Sequence, residues 1–534
     1  MSRLSHRAKA NDSILWFVLL ALAALLRLGP IASSLPYIDY VDEGHILHPA
    51  IGILKSKSFD SSIYTYPPLT SYLTIAAIKA YAPIYRMVHG RELHDDLPAD
   101  QALKTELGEH YDLITPPEII WLGRSVIACL SIGTVILAGA LAKLLGGPRA
   151  GLLAMLFTAL CPALVSRGSN LALDPTGTFF VIAALYFCQR LRIAATAASN
   201  PAMWRNTACA AIASGLAFGA KFTAGAVFVA LLVIIVTLPI TWKSKSILIV
   251  VAGAGLFIGV FCGIPAAVLY PEKIIGELRY LARFYQTIQS EQGYWRSAFS
   301  ASEIGVLLMV SGLAGIIWML WNASARKAAL SWIAFALVLL LALVSSPFQP
   351  VRNLLPLVPP LCIAAALLCI WLGGYLEHRY RPSVSLALVL VIALPLGWFS
   401  ARHLQFRMQH IDTRVRAIDW LQRHARKEAT VLGIRELAIL PAEWKRIAAQ
   451  AIVVPWFEAA DLLERQRFDY IVTGDFDLRY APDPNAWSAY RERWNAKISL
   501  LPVEANFGQV VTPVVPYLWR TNDERILILK GNRD

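Results

Sequence analysis

Charge is scarce in this chain. Only 16% of its 534 residues are Asp, Glu, Lys or Arg, while 57% are hydrophobic, and the mean hydropathy is +0.52. Soluble globular chains run near about 25% charged and about 45–50% apolar. That class is excluded, and long apolar runs read as membrane spans. Metal-type cysteine spacing is also missing. The cysteines at 129, 161, 188, 209, 262, 362 and 369 lie in or beside apolar runs, with no Cys-x-x-Cys or Cys/His pattern, so they read as small core hydrophobes. No glycine-rich phosphate loop follows a strand-like run, so no nucleotide site is expected. There is no internal repeat and no low-complexity tract. The net charge of +13 reads, in a chain this apolar, as cytoplasmic Lys/Arg bias and contact with anionic lipid or phosphate. No nucleic-acid partner is expected.

What is present is a series of apolar runs. Arg3, Arg7 and Lys9 precede a run from Ile14 to Leu28. This resembles a signal peptide, and Ile31-Ala32-Ser33-Ser34 has the look of a cleavage region. Because the chain returns to the membrane, the run reads as an uncleaved first span, with the N-terminus cytoplasmic. Further runs cover about 118–142, 149–166, 175–188, 206–220, 222–240, 246–269, 303–321, 329–346, 353–375 and 383–400, which makes about 11 transmembrane helices. The segment 69–85 is ambiguous: it is long enough to cross, but Lys79 and Pro83 interrupt it, and an interfacial helix is the alternative. If it does not cross, the loops carrying Lys143/Arg149, Arg190/Arg192/Arg205, Lys243/Lys245, Arg326/Lys327 and Arg379/Arg381 all fall on the cytoplasmic side. The positive-inside rule favours that choice. A long first outer loop, 32–117, results. The predicted division is a membrane domain over 1–405 and an extracytoplasmic α/β domain over 406–534. In the latter, strands are expected at 430–434, 451–454, 470–473 and 526–529, and helical stretches near 412–426, 436–449 and 457–466.

The unusual residues gather on the outer side. Asp42 and Glu43 follow the first span, with Pro36, Tyr37 and Tyr40 before them. They read either as a solvated pair or as a fixed interfacial acid segment. In the second case Asp42 can act as general base on an acceptor or stabilise positive charge at a sugar-like carbon, with Glu43 in support. Asp174, followed by Pro175, reads as a helix cap or as a second functional carboxylate. Lys221 interrupts an apolar stretch; it either ends a helix and snorkels or meets an anionic headgroup. Arg352, in a proline-framed turn, suits a phosphate clamp. Arg124 lies at the apolar start of the second span and needs a carboxylate or lipid-phosphate partner there. The loop 270–302 alternates aromatics with Arg279 and Arg283, which fits either a lipid-anchored phosphorylated substrate or an ordinary interfacial helix. His45 and His48, with Asp42 or Glu43, are candidates to hold a divalent metal.

Taken together these features resemble the polyprenyl-phosphate-dependent, multispanning glycosyltransferases of GT-C type. This group includes the protein O-mannosyltransferases and the lipid A aminoarabinose transferases. Asp42-Glu43 looks like the family's first-loop acidic motif, and Tyr66-Pro67-Pro68-Leu69 like its His/Asn-Pro-Pro-Leu motif, with Tyr66 in the polar position. Arg124 fits its Arg-started helix, and Leu173-Asp174-Pro175 looks like its second acidic motif. Gly215–Thr223 resembles its glycine-rich turn with a lysine. Arg352-Asn353-Leu354-Leu355-Pro356 resembles its Arg-Tyr-Leu-Leu-Pro motif, with Asn353 replacing the aromatic. The insert 86–117, with Arg86, His89, Arg91, Asp95, Asp96 and Glu106, is longer than usual. The resemblance implies inverting transfer of a sugar from a polyprenyl-phosphate donor to a protein, lipid or cell-envelope glycan acceptor. The setting would be the outer face of a bacterial cytoplasmic membrane. In this scheme Asp42, Glu43 and Asp174 do the chemistry, while Tyr66, Arg124, Lys221, Arg279, Arg283 and Arg352 bind substrate. A transporter or flippase of an anionic or lipid-linked substrate is the alternative. It is disfavoured by the outer-surface clustering of charge and the missing internal repeat.

Overall fold

The computed structural model describes residues 2–38, 40, 42–56, 58–60, 64–93, 116–287, 298–344, 349–379, 383–437, 439–447, 449–474, 492–507 and 525–531. Asp95, Asp96 and Glu106 of the insert, and Arg381, lie outside them. The chain divides into two compact units. The first takes Met1–Ala32, His45–Gly90 and Ile120–Met408; the second takes Ser33–Gly44, Arg91–Ile119 and Gln409–Asp534.

The first unit is helical. Its elements are α1 (Ser2–Leu28), most of α2 (Asp42–Ser56), α3 (Leu69–His89), α4 (Pro117–Leu160), α5 (Pro162–Arg167), α6 (Leu173–Thr196), α7 (Asn200–Ala220), α8 (Phe228–Thr237) and α9 (Trp242–Gly263). They are followed by α10 (Pro271–Thr287), α11 (Val306–Trp321), α12 (Arg326–Val344), α13 (Val358–Arg379) and α14 (Ser383–Gln409). Seven helical segments among the described residues are long and apolar enough to cross a membrane, and two shorter apolar helices cover 222–237 and 306–321. The number differs from the eleven apolar runs for identifiable reasons. α4 is one 44-residue element bent at Gly147, whose φ of 83° only glycine adopts without strain, just before Pro148. α7, with its mixed composition, does not qualify, and α8 and α11 are short. α3 is a continuous 21-residue helix through Pro83 and is not among the seven.

Helices in lipid pack through small side chains, and α7 and α9 do so here. A methyl group added at Gly215 would stand 2.6 Å from the Leu256 carbonyl oxygen, and one at Gly219 would stand 2.6 Å from the Gly263 backbone. The glycine-rich stretch before Lys221 therefore has a packing cause: it draws the end of α7 against the end of α9. Buried polar side chains supply the other ties. Arg27, fully buried in α1, donates to Ser131 Oγ (2.7 Å) and to the carbonyl oxygens of Thr158 (3.1 Å) and Ala159 (3.2 Å). A charge in an apolar span is tolerable only when its donors are used in this way. Elsewhere apolar side chains such as Val250, Leu341 and Leu394 remain exposed on the spans, as lipid-facing surfaces require.

At one end of the bundle the cations meet backbone carbonyls. Arg192 donates to Ser324 (2.9 Å), Lys245 to Val236 (2.6 Å) and Lys327 to Thr237 (2.8 Å). Asp174 stands at the opposite end of α6 from Arg192.

The second unit is built on a five-stranded mixed sheet in the order β2-β1-β3-β5-β4. The strands are β1 (Thr430–Ile434), β2 (Gln450–Val454), β3 (Tyr470–Gly474), β4 (Val503–Phe507) and β5 (Ile526–Lys530). β1 runs parallel to β2 and β3, whereas β5 is antiparallel to both β3 and β4. The apolar runs at β1, β2, β3 and β5 announced these strands. β4, Val-Glu-Ala-Asn-Phe, is not among the expected strands, because Glu504 and Asn506 break up its apolar residues. It is an edge strand with an irregular register, where polar residues are at home. Of the helical stretch expected near 436–449, the described residues form short turns at Arg435–Leu437 and Pro441–Trp444. The unit also contains the helices α15 (Thr413–His424) and α16 (Trp456–Arg465). α15 buries Ala417, Ile418 and Leu421, so its apolar stripe joins the sheet core. Gly433 leaves space for the Trp444 ring, which a methyl group there would meet at 2.6 Å.

Candidate functional site

Asp174 opens α6 and Lys221 follows the last residue of α7. The Lys221 ammonium donates to the Asp174 carboxylate and, at 2.7 Å, to Asn353 Oδ1. Asn353 sits in the 3-10 turn Val351–Leu357 that precedes α13. Three separate helix ends thus meet at one ammonium group. Asp174 is almost fully buried, with its side chain 3% exposed, whereas that of Lys221 retains 17%. The positive charges of Arg352 and Arg167 also act on Asp174. Several cations therefore surround one carboxylate, and positive charge predominates around Asp174. That charge suits an anionic group of tetrahedral or planar shape.

The ends of the neighbouring helices are fastened to this constellation. Thr70, one residue after the Pro67-Pro68-Leu69 turn, donates from its hydroxyl to that of Thr176 in α6 (3.2 Å). Ser71 donates to the Ile46 carbonyl oxygen (2.9 Å), which holds α3 against α2. Tyr66 stacks on His45, with ring centroids 4.7 Å apart. The Tyr-Pro-Pro-Leu motif therefore has a visible structural role, which is to seat the start of α3 beside the start of α6.

A second polar group adjoins the first through Arg167, the last residue of α5. Glu303, just before α11, places a carboxylate oxygen 3.9 Å from the Arg167 guanidinium. Its backbone carbonyl accepts from Ala163 N–H (3.0 Å) at the other end of α5, so one residue holds this short helix at both ends. Burial pushes the Glu303 carboxyl up to about 7, against the pull of the Arg167 charge. The charges of Arg407 and Arg167 also bear on His403 of α14. Sequence reasoning missed Arg167, Glu303 and His403. The available signal was charge at the ends of apolar runs on the side that carries Asp174, and Glu303 is the first residue of such a run.

The other candidates are Arg124, Arg279, Arg283, Asp42 and Glu43. Arg124 is fully buried and donates to the Ile31 carbonyl oxygen at 3.0 Å, tying the start of α4 to the end of the first span. Arg279 and Arg283 are exposed on α10, an amphipathic helix whose Lys273 pairs with Asp60 (2.9 Å). Asp42 and Glu43 belong to the second unit and are buried, 6% and 0% exposed, in the first turn of α2, which excludes the solvated-pair reading. Among the described residues no three His, Cys, Asp or Glu stand close enough to hold a metal ion. His45 and His48 therefore lack a ligand set there.

The comparisons with known proteins bear on the fold. Residues 115–274 match the family described as Dolichyl-phosphate-mannose-protein mannosyltransferase. No curated protein matches by sequence. Among solved structures, ArnT from Cupriavidus metallidurans in the apo state aligns with a TM-score of 0.52 at 15% identity, covering 96% of this chain and 97% of that one. The same protein bound to undecaprenyl phosphate gives 0.53 at 15% identity, over 96% and 98%. The Archaeoglobus fulgidus oligosaccharyltransferase gives 0.50 at 12% identity, over 86% of this chain and 68% of that one. The chain shares the fold of these structures: a polytopic helical membrane domain with a small C-terminal mixed-sheet domain.

Proposed function

We propose that this chain is an inverting glycosyltransferase that moves a sugar from a polyprenyl-phosphate donor to a hydroxyl or amine of a protein, lipid or glycan acceptor. The observation that carries the reading is the meeting of Lys221, Asp174 and Asn353, with the charges of Arg352 and Arg167 around them. The ArnT structure with undecaprenyl phosphate is support from a protein of the same fold. In this reading Asp42 takes the proton from the acceptor. The acceptor lone pair forms a bond to the anomeric carbon, and the bond from that carbon to the phosphate oxygen breaks on the opposite face. The lipid phosphate departs with an added negative charge, and Lys221 and Arg352 meet it where it develops. Glu43 supports Asp42, and Asp174 holds Lys221 in place. The proposed setting is a bacterial cytoplasmic membrane crossed eleven times, with the N-terminus cytoplasmic and the sheet domain outside. The clustering of Arg192, Lys245 and Lys327 at the end away from Asp174 supports that orientation.

The test is transfer by purified protein from a panel of polyprenyl-phosphate sugars, with products read by mass. Asp42→Asn is expected to abolish transfer while donor binding persists, and Arg352→Ala to weaken donor binding. Wild-type transfer by Asp42→Asn would remove the base assignment, and unchanged donor affinity in Arg352→Ala would remove the clamp.

A further inference from the structure

The segment that carries Asp42 and Glu43 follows the first span in sequence. In the structure it is part of the unit built from the C-terminal sheet. The connection is specific. Tyr37, with no exposed surface, lies under the Arg414 guanidinium, 3.8 Å from its ring centroid. Its hydroxyl oxygen accepts from Leu440 N–H at 3.2 Å. Arg414 is in turn held edge-on by Asp412: Nε donates to Oδ1 at 2.8 Å and Nη2 to Oδ2 at 2.6 Å. The same Asp412 caps α15 by accepting from Arg414 N–H at 2.9 Å.

The parts of this chain of contacts have little freedom. A two-point Arg–carboxylate pair fixes the guanidinium plane, and a guanidinium stacked on a phenol ring fixes the ring. On either side, Tyr37 N–H reaches Ser34 O at 2.8 Å and Glu43 N–H reaches Tyr40 O at 2.9 Å. Burial raises the Tyr37 phenol above its ordinary value despite the nearby Arg414 charge, so the ring stays neutral at physiological pH.

We propose that the C-terminal sheet domain is a positioning element for transfer, fixing the Asp42 carboxylate through Asp412, Arg414 and Tyr37. The inference rests on the reading of Asp42 as the base. It makes Tyr37 and Arg414 positioning residues, and it gives the appended domain a part in the chemistry without requiring it to touch substrate. The ordinary alternative is a staple that only stabilises the fold.

Full-length protein in lipid nanodiscs separates the two. Arg414→Ala and Tyr37→Leu should each lower kcat at least about tenfold with the KM for the lipid donor within about twofold, because small displacements of a reacting group act on the chemical step. Tyr37→Phe, which keeps the ring, should recover most of kcat, and the double variant should be no worse than the poorer single. Amide exchange should rise in 33–44 of Arg414→Ala while β1 stays protected. Wild-type kcat in a folded Arg414→Ala overturns the inference. If that variant does not fold, exchange in Arg414→Lys decides: faster exchange confined to 33–44 supports the inference, and unchanged exchange there overturns it. Asp42→Asn runs in parallel. An inactive Asp42→Asn beside a fully active Arg414→Ala sinks the positioning role alone, whereas an active Asp42→Asn sinks the base assignment itself.

Discussion

Cations of the helical unit are held in two different ways. At one end Arg192, Lys245 and Lys327 each donate to a backbone carbonyl. Such acceptors are left over where helices stop, and a cation there serves as a cap. At the other end Lys221 is held by the side chains of Asp174 and Asn353, and Arg167 faces Glu303. A carbonyl fixed in a helix cannot leave its cation. A side-chain carboxylate can swing aside when a stronger anion arrives, so the second arrangement is suited to exchange partners and the first is not. The difference is one between backbone and side-chain counter-partners.

The largest expected effect is at the Lys221 pair. Asp174→Asn leaves a mostly buried ammonium without its counter-charge, and breaking one side of a buried pair costs roughly 3–5 kcal/mol. Thermal unfolding in nanodiscs should show that loss, with transfer reduced alongside. A variant as stable as wild type would mean that the pair is not the organising contact at this end.

Glu303→Gln should act through pH. The folded carboxyl titrates near about 7, above the unfolded value of about 4.3. A raised carboxyl contributes stability that is fully present below the unfolded value and is lost as pH rises through the folded one. Between about pH 5 and about pH 8 the wild type should therefore lose melting temperature relative to Glu303→Gln, because only the wild type must ionise a buried acid. Parallel melting curves for the two proteins across that range would show that Glu303 does not titrate in the fold.

The smallest effect belongs to the opposite end. Lys327→Met removes one cap to the Thr237 carbonyl and should cost about 1 kcal/mol or less, in line with a single hydrogen bond, with transfer unchanged. A loss of transfer comparable to that of Asp174→Asn would erase the distinction between the two ends.

Much of this was legible in the chain itself. Long apolar runs must be helices in lipid, because no water is there to satisfy the backbone, so the membrane class followed from hydropathy. Asp174, Lys221 and Arg352 were legible as charges at the ends of such runs. Asn353 was seen only as a substitution in a motif, and its bond to Lys221 emerged with the packing. Arg124 was legible as a charge needing a carboxylate or lipid-phosphate partner, while its bond to the Ile31 carbonyl emerged only with the packing. Arg27 was invisible inside its run because hydropathy averages over it.

Sequence by itself determined which segments are apolar, where charge interrupts them, and which runs of the C-terminal region form strands. These are local properties, set by the solvent each residue tolerates. Only the tertiary structure decided that Asp174, Lys221 and Asn353 meet at one ammonium, and that Tyr37 lies beneath Arg414. It also decided that the acid segment after the first span belongs with the sheet domain. Those are pairings between distant parts of the chain, which no local property of one segment specifies; in the helical unit, close packing at Gly215 and Gly219 draws the ends of α7 and α9 together.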